Sequence, residues 1–319
     1  MCISWARLLL LFIACPLLAD NVKLESKVLG ETREIIVHLP DSYAASRAAY
    51  PVLYVLDGGS NHLISAAASS FLSNYGEIPE LIVVAIKNTN RNRDFTPEQG
   101  APKFLQFLRT ELVPKIDASY RTRPLRVLAG HSLGGLFAVW AMSAQPDAFF
   151  AWIALDPAFW WNNNAVITNI RKLFEEKSDL RTRLVVFQSG QSQKRRGDWP
   201  VPSAPKNVRM TTRVFADETH GSLPYRGIYE ALRVVFSDYV SQAMTVADLE
   251  KHYAELSAAY GYRVPIPEMA WFELVYRAED ARNWDEAARA LDKLTGQYPN
   301  NPEIPGEKAN LESMRRGDS

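Results

Sequence analysis

Short apolar segments alternate with amphipathic ones along the first three quarters of the chain. The run from 50 to 56 is almost entirely apolar, as expected for a strand that is buried on both faces of a sheet. Similar runs recur downstream, and the segments between them show helical spacing. This alternation predicts an α/β fold whose mostly parallel sheet is covered by helices on both faces. The predicted strands are 22–29, 33–39, 50–56, 81–86, 125–129, 151–155, 184–189 and 211–215, the first two forming an edge hairpin, and the predicted helices are 104–116, 133–144, 164–176 and 223–243.

The pattern changes near Thr245, beyond which no strand-like run occurs. Segments 269–276 and 284–294 predict two antiparallel helices that resemble a single tetratricopeptide unit. Such a lone pair cannot bury its apolar face by itself, so we expect it to pack on the main domain or on a protein partner. The polar tail from about Pro305 is expected to be mobile.

The first residues have the features of a secretory signal peptide. Arg7 precedes an apolar run from 8 to 14 that is too short for a stable membrane anchor, which predicts no membrane span. Cleavage after Ala19 predicts a secreted or periplasmic protein. The alternative is a lipoprotein anchored at Cys15, because Phe12-Ile13-Ala14-Cys15 resembles a bacterial lipoprotein box. We therefore divide the chain into a signal peptide (1–19), a main domain (20–244), a helical extension (245–304) and a flexible tail (305–319).

The charge balance gives no support for a polyanionic partner. The chain of 319 residues has 36 Lys and Arg against 36 Asp and Glu, so its formal net charge is zero. This balance provides no electrostatic argument for binding nucleic acid or an anionic membrane surface. Cys2 and Cys15, the two cysteines, both lie in the predicted signal peptide. The main domain therefore has no disulfide and no cysteine-based metal site.

The candidate nucleophile is Ser132, in the sequence Gly130-His131-Ser132-Leu133-Gly134. This stretch fits G-x-S-x-G, the turn that lifts a serine above the parallel sheet of α/β-hydrolases. The motif requires a strand before the serine and a helix after it, and the predicted segments 125–129 and 133–144 meet that requirement. Small neighbours are needed because the serine backbone is strained there. The turn also aims the Leu133 N–H at the space in front of the hydroxyl.

A serine hydroxyl needs a base to take its proton, and His220 is the candidate. In this fold the base follows the last strand, and His220 comes just after the strand 211–215, in the order that the fold requires. His131, the variable residue of the turn, is expected to point away from the chemistry. His62 could line the pocket.

An oxyanion intermediate needs two preorganised N–H donors. Leu133 is expected to supply one, and the loop Asp57-Gly58-Gly59 after the third strand is expected to supply the other. Gly58 is our choice, with Gly59 as the alternative.

The acid that would orient the base stays open between two aspartates. Asp198 follows the strand 184–189, which is the usual place for the acid, but it comes nine residues after the strand end. Asp156 ends the strand 151–155, one strand earlier, and fits equally well. Glu218 is a weaker candidate, and a Ser–His pair without an acid is a further alternative.

At this point the residues resemble the putative esterase family of α/β-hydrolases, which includes the esterase D-like enzymes and the enterochelin and salmochelin trilactone esterases. The resemblance covers about residues 22–240 and implies ester hydrolysis by Ser132 and His220. Many relatives have Gly-x-x-Glu where this chain has Gly190-Gln191-Ser192-Gln193, so the resemblance leaves the acid in doubt. The matching segments are Leu56-Asp57-Gly58, Asn90-Arg91-Asn92-Arg93-Asp94-Phe95-Thr96-Pro97, Gly130 to Leu136, Asp156-Pro157-Ala158-Phe159-Trp160-Trp161 and Glu218-Thr219-His220-Gly221-Ser222.

Four further residues are candidates for substrate binding. Arg91 and Arg93 follow a strand end near the expected pocket mouth and could bind an anionic substrate group. Their alternative role is that of solvated charges, or of an ion pair with Asp94. Trp160 and Trp161 could form an apolar pocket wall, or they could be core residues.

Together these residues predict a secreted serine esterase that acts on a small-molecule ester and requires no metal or cofactor. An acyltransferase would use the same nucleophile and differ only in its acceptor. A third hypothesis is a non-catalytic scaffold that binds a partner through the C-terminal helices; the presence of both Ser132 and His220 argues against it.

Overall fold

The computed structural model describes residues 19–317. Most of the predicted signal peptide, including Cys15, lies outside the described residues, so export and the lipid anchor stay predictions. Across residues 19–317, no helix combines the length and the hydropathy that crossing a bilayer requires.

A single sheet of eight strands organises the described part of the chain, in the order β1-β2-β4-β3-β5-β6-β7-β8. Strands β3 to β8 are all parallel, while β1 and β2 form an antiparallel hairpin at one edge. The predicted α/β-hydrolase architecture is therefore confirmed. The strands are β1 (Ala19–Ser26), β2 (Glu31–His38), β3 (Tyr50–Val55), β4 (Ile82–Ile86), β5 (Thr122–His131), β6 (Ala151–Leu155), β7 (Thr182–Ser189) and β8 (Val208–Phe215).

Helices cover both faces of the sheet, as the unbroken apolar strands require. Along β3, Val52 and Tyr54 join the core under α2 to α6, and Leu53 and Val55 join the core under α1, α8 and the C-terminal helices. The helices are α1 (Gly58–Asn74), α2 (Arg91–Phe95), α3 (Ala101–Phe107), α4 (Val113–Ser119), α5 (Leu133–Ala144), α6 (Ala165–Glu176), α7 (Gly190–Arg196), α8 (Leu223–Val235), α9 (Val246–Tyr260), α10 (Glu268–Asp280), α11 (Trp284–Gln297) and α12 (Ile304–Arg316).

Several predicted helix boundaries were wrong. The segment expected to be one helix over 104–116 contains a π-helical turn (Leu108–Leu112) between α3 and α4, next to Pro114, whose ring nitrogen cannot donate. The helix expected to reach 243 ends at Val235, because Asp238 and Tyr239 leave the helix axis to contact Arg183 and Tyr253. Helix α1 was not predicted, since its polar, serine-rich sequence has little helical periodicity.

The C-terminal helices share one continuous core with the sheet. Trp271, Leu274 and Leu291 from α10 and α11 belong to the same buried cluster as Leu53 of β3 and Ile153 of β6. The extension therefore packs on the main domain, as a helix pair with an apolar face must. The division at residue 245 and the likeness to a tetratricopeptide unit stay predictions.

The expectation of a mobile tail from Pro305 was wrong, because these residues form helix α12. Pro305 occupies the first helical turn, where its missing N–H is not needed. Ile304 and Leu311 are seven residues apart on one face, and both are buried against the extension. Two apolar positions in a polar segment were too weak a signal to predict this helix.

A partly buried carboxylate joins the sheet to the helical extension. Asp238, just after α8, accepts hydrogen bonds from Arg183 of β7 at 2.6 and 2.7 Å, from Arg209 of β8 at 2.6 Å and from the Tyr260 hydroxyl of α9 at 2.9 Å. Burial alone would raise the pKa of Asp238, but the hydrogen bonds and positive charge of Arg183 outweigh it and lower the pKa to about 2.

Replacing Asp238 by Asn should destabilise the protein by about 3 kcal/mol at neutral pH, because Arg183 would be left buried without a counter-ion. The folded pKa lies below the unfolded one, so the stabilisation is present above about pH 4 and is lost as the pH falls toward about 2. Urea unfolding at several pH values should therefore show a difference from wild type that shrinks below about pH 4. The exposed pair Lys172–Glu176 provides the control, E176Q, expected to change stability by less than about 0.5 kcal/mol. A difference independent of pH would contradict this role.

The turn from β5 into α5 brings two backbones into close contact. A Cβ added to Gly130 would lie 2.3 Å from the carbonyl carbon and oxygen of Gly134, a distance at which the backbone must move. Only glycine fits at this position, because the helix folds back directly over the strand end.

Replacing Gly130 by Ala should therefore destabilise the protein by about 3 kcal/mol or more, since the obstructing atoms belong to the main chain. Gly296 in α11 has open space around its Cβ position and is the matched control. G296A should leave stability unchanged or raise it by up to about 1 kcal/mol, because alanine favours the helix. Urea midpoints of both variants test the pair, and equal stabilities for G130A and wild type would disprove the close approach.

Candidate active site

Three non-glycine residues with positive φ lie at neighbouring strand ends. Asp57 (φ 55°) follows β3, Ser132 (φ 58°) follows β5 and Asp156 (φ 41°) follows β6. Because β3, β5 and β6 are adjacent and parallel, these residues meet at one edge of the sheet. Strained backbone of this kind persists only where the surroundings hold it, and it concentrates at functional sites.

Ser132, His220 and Asp156 form a continuous chain of hydrogen bonds. The Nε2 of His220 is 3.2 Å from the Ser132 Oγ, and its Nδ1 is 2.7 Å from the Asp156 Oδ2. The loop after β8 brings His220 over the sheet edge, where its side chain is 44% exposed. The geometry therefore offers a nucleophile, a base in proton-transfer range and a carboxylate that fixes the imidazole tautomer.

The Asp156 carboxylate is buried and fully provided with donors. Besides the His220 contact, its oxygens accept from the Ser189 Oγ at 2.6 Å, the Ser192 Oγ at 2.7 Å and the Ser189 N–H at 3.2 Å. Burial acts to raise the pKa of Asp156, but these hydrogen bonds together lower it below its usual value. The group therefore stays ionised next to His220, as a carboxylate that stabilises an imidazolium must.

The other two candidate acids lie elsewhere. Asp198 lies just beyond α7 and accepts a hydrogen bond from the Gln193 side chain. Within residues 19–317, the carboxylate that contacts His220 is that of Asp156. Glu218 accepts from Ser222 and lies 3.7 Å from Arg226. The segment 191–200 was expected to be a loop, but helix α7 occupies it as far as Arg196, and Asp198 follows the end of that helix.

Neighbouring groups hold the His220 ring in place. The His220 backbone N–H donates to the Gln191 side-chain oxygen at 2.8 Å, and the Ser222 hydroxyl closes the loop by accepting from the Thr219 backbone N–H. The expectation that His131 points away was wrong: its ring packs 4.5 Å from the His220 ring, centroid to centroid. Burial and the nearby His220 lower the pKa of His131 to about 4, so it packs as a neutral ring.

The two expected oxyanion donors both begin helices. Leu133 is the first residue of α5, and Gly58 is the first residue of α1, so neither N–H has a partner within its own helix. Gly58 was expected in a loop, yet α1 starts directly on it. A Cβ there would lie 2.6 Å from the Ala85 carbonyl carbon, so β4 leaves no room for a side chain.

Both arginines form ion pairs with carboxylates of this protein. Arg91 forms a bidentate ion pair with Asp57 and donates to the His131 carbonyl. Arg93 pairs with Asp94 at 2.7 Å and with Glu31 at 2.7 Å. The alternative interpretation, that Arg93 forms an ion pair with Asp94, describes its contacts, and neither arginine points a free guanidinium at the pocket mouth.

The two tryptophans are adjacent but lie in different environments. Trp160 is 46% exposed, and the Arg196 guanidinium lies 4.7 Å from its ring centroid. Trp161 donates to the Glu98 carboxylate at 3.0 Å, and its ring centroid is 5.9 Å from that of Trp160. Trp160 is therefore not a core residue, whereas Trp161 is partly buried and packs against the hydrophobic core, and a substrate-facing role for either stays a prediction.

Some groups at the site were missed by sequence analysis. Ser189 and Ser192 bind Asp156, and Gln191 binds His220, from the segment where the resembled family has Gly-x-x-Glu. The sequence signal for this role was the presence of two hydroxyl side chains, Ser189 and Ser192, in that segment. Among residues 19–317, no group of three or more His, Cys, Asp or Glu is arranged to hold a metal ion.

Comparison with known proteins places this geometry in a family. The family model described as putative esterase matches residues 26–232. The siderophore triacetylfusarinine C esterase of Aspergillus fumigatus is 30% identical over 153 residues, which are 41% of this chain and 52% of that protein. Ferri-bacillibactin esterase BesA of Bacillus subtilis is 29% identical over 176 residues, 45% of this chain and 60% of that protein.

Solved structures also match over most of the chain. An IroE-like serine hydrolase from Shewanella oneidensis superposes with a TM-score of 0.73 at 28% identity, covering 88% of this chain and 100% of that one. The match to the two curated relatives spans only about half to three fifths of their length. Since the family model covers well over half of the chain, the protein belongs to the putative esterase family.

Proposed function

We propose that this protein is a serine esterase that hydrolyses carboxylic esters through an acyl-enzyme on Ser132. The hydrogen-bonded chain from Ser132 through His220 to the buried Asp156 is the observation that supports this most directly. Membership of the putative esterase family supports the same reaction class.

In the first half of the reaction, the Ser132 Oγ attacks the ester carbonyl carbon while the His220 Nε2 takes its proton. Asp156 accepts from the Nδ1–H, so the tautomer is correct and the imidazolium is stabilised. The carbonyl oxygen becomes an oxyanion in front of the Leu133 and Gly58 N–H groups. Both donors begin helices, so the positive ends of two helix dipoles favour the developing charge.

Acylation is complete when His220 returns the proton to the leaving alcohol as the C–O bond breaks, which leaves the acyl group on Ser132. In the second half, a water molecule attacks the acyl carbon while His220 takes a proton from it. The acid is released and Ser132 regains its proton.

We propose a siderophore ester as the substrate class. The names of the two curated relatives describe esters of iron-binding siderophores. The His220 side chain is 44% exposed, which would leave the reacting atoms open to a bulky, rigid ester. An open site accommodates a large macrocyclic substrate, which a deep narrow channel would exclude.

Replacing Ser132 by Ala should abolish hydrolysis of p-nitrophenyl butyrate and labelling by a fluorophosphonate probe. D156N should lower kcat by about 10³- to 10⁴-fold, because the amide favours the wrong imidazole tautomer. D198N is the matched control, since its carboxylate contacts Gln193 rather than the base, and it should retain wild-type kcat. Full activity of D156N, or a loss in D198N equal to that in D156N, would overturn the assignment of the acid.

The substrate class predicts a preference that can be measured. Ferri-bacillibactin and triacetylfusarinine C should be cleaved with a kcat/KM at least about tenfold above that of p-nitrophenyl butyrate, because remote contacts of a larger substrate lower the barrier. Chromatography of the products, with S132A as the blank, would show the cleaved ester bonds. Cleavage of the p-nitrophenyl ester alone would retain the esterase and reject the siderophore substrate.

A further inference from the structure

We propose that Arg91 is a positioning residue that holds the two halves of the oxyanion hole in register. This inference rests on the proposed esterase reaction and goes beyond it, since it concerns a group that need not touch substrate. The sequence suggested a substrate contact for Arg91, but its hydrogen bonds lead to the two backbone segments that supply the expected donors.

The first contact fixes the segment that carries Gly58. The Arg91 Nε and Nη2 lie 2.7 and 3.1 Å from the two carboxylate oxygens of Asp57, and the Asn88 side chain donates to the same carboxylate. Asp57 directly precedes Gly58, so the Asp57 ψ angle of 43° sets the orientation of the peptide whose N–H belongs to Gly58. Holding the Asp57 side chain therefore holds this donor.

The second contact fixes the turn that carries Ser132 and Leu133. The Arg91 Nη2 also lies 3.0 Å from the His131 carbonyl oxygen. On the opposite side of this peptide unit, the Ser132 N–H donates to the Leu155 carbonyl at 2.9 Å. The peptide before the nucleophile is thus held from both sides, and one guanidinium reaches both strand ends.

The topology explains why the bridging group comes from this position. Arg91 begins α2, just after β4, and the sheet order places β4 beside β3 and β3 beside β5. A long side chain from the end of β4 can cross the end of β3 and reach the end of β5. The planar guanidinium has enough fixed donors for the carboxylate and the carbonyl together, which a lysine ammonium on a flexible stem does not.

The left-handed backbone of Asp57 makes such support necessary. A non-glycine residue at φ 55° is strained, and it persists only when its surroundings impose that conformation. The Asp57 side chain is 11% exposed, so its charge needs a partner. Arg91 and Asp57 cancel each other's charge, and the expected effect on the oxyanion is therefore one of geometry.

The proposal predicts a change in kcat with little change in KM. The oxyanion hole acts on the transition state, so misaligned donors raise the barrier without weakening substrate binding. Displacement by about 1 Å can cost about 100-fold in rate. R91M should therefore lower kcat by about 10- to 100-fold, and R91K should fall between R91M and wild type because its ammonium can satisfy only one of the two segments.

The experiment uses a neutral ester, p-nitrophenyl butyrate, with the full chain and the variants R91M, R91K and D57N. A neutral substrate offers no anion for a guanidinium, so a lower kcat on it cannot come from a lost ion pair with substrate. Phenylboronic acid, which forms a tetrahedral adduct with the serine, should bind each variant more weakly by about the factor lost in kcat. R233M is the control: the Arg233 side chain of α8 is 45% exposed and pairs with Glu77, so its kcat should match wild type.

Three results would overturn the proposal: wild-type kcat in R91M, a loss in R91M that raises KM and leaves kcat unchanged, or unchanged boronate binding in a slow variant. Urea unfolding shows which variants are folded at the assay temperature. If R91M is unfolded, the comparison of R91K and D57N with wild type decides, since both preserve side-chain size. Absence of wild-type hydrolysis would instead refute the esterase function itself, so the two failures are distinguishable.

Discussion

The buried carboxylate of Asp156 requires hydrogen-bond donors, and the arrangement of the site follows from that requirement. An ionised group that is 1% exposed is costly unless its oxygens are satisfied. Ser189 and Ser192 supply donors from the end of β7 and the start of α7, and His220 supplies another from beyond β8. The same contacts that stabilise the charge thus fix the base over Ser132.

Rigidity at this edge depends on packing at a distance from it. The strand ends stay in register because the sheet is covered on both faces, and the C-terminal helices extend one of those two cores. Asp238 connects that extension to β7 and β8, whose opposite ends lead to Ser192 and His220. The extension therefore contributes to the stability of the strands that position the site, in addition to any partner it binds.

The sequence predicted the sheet well because strands such as β3, β4 and β6 are continuous apolar runs, whereas β8 mixes Arg and Thr with its apolar residues. Helices α1 and α12 were missed since their apolar positions are few, and their stability comes from tertiary burial of residues such as Leu72 and Leu311. Ser132 and His220 could be predicted as candidates from motif and order alone, and the structure places the Ser132 Oγ 3.2 Å from the His220 Nε2. The role of Arg91 could not, because a charged residue near a strand end has the same sequence signal whether it contacts a ligand or a neighbouring loop.

The identity of the acid shows how the sheet constrains the chemistry. Strands β6 and β7 are adjacent and parallel, with Leu155 paired to Phe187, so an acid after either strand ends near the same point in space. The chain resembles a family whose members often have the acid after β7, yet it has Ser192 and Gln191 there, and its carboxylate after β6. The two hydroxyls from β7 and α7 then become donors to Asp156. The carboxylate that contacts the His220 imidazole therefore comes from the end of β6, and the segment after β7 supplies hydrogen-bond donors to it.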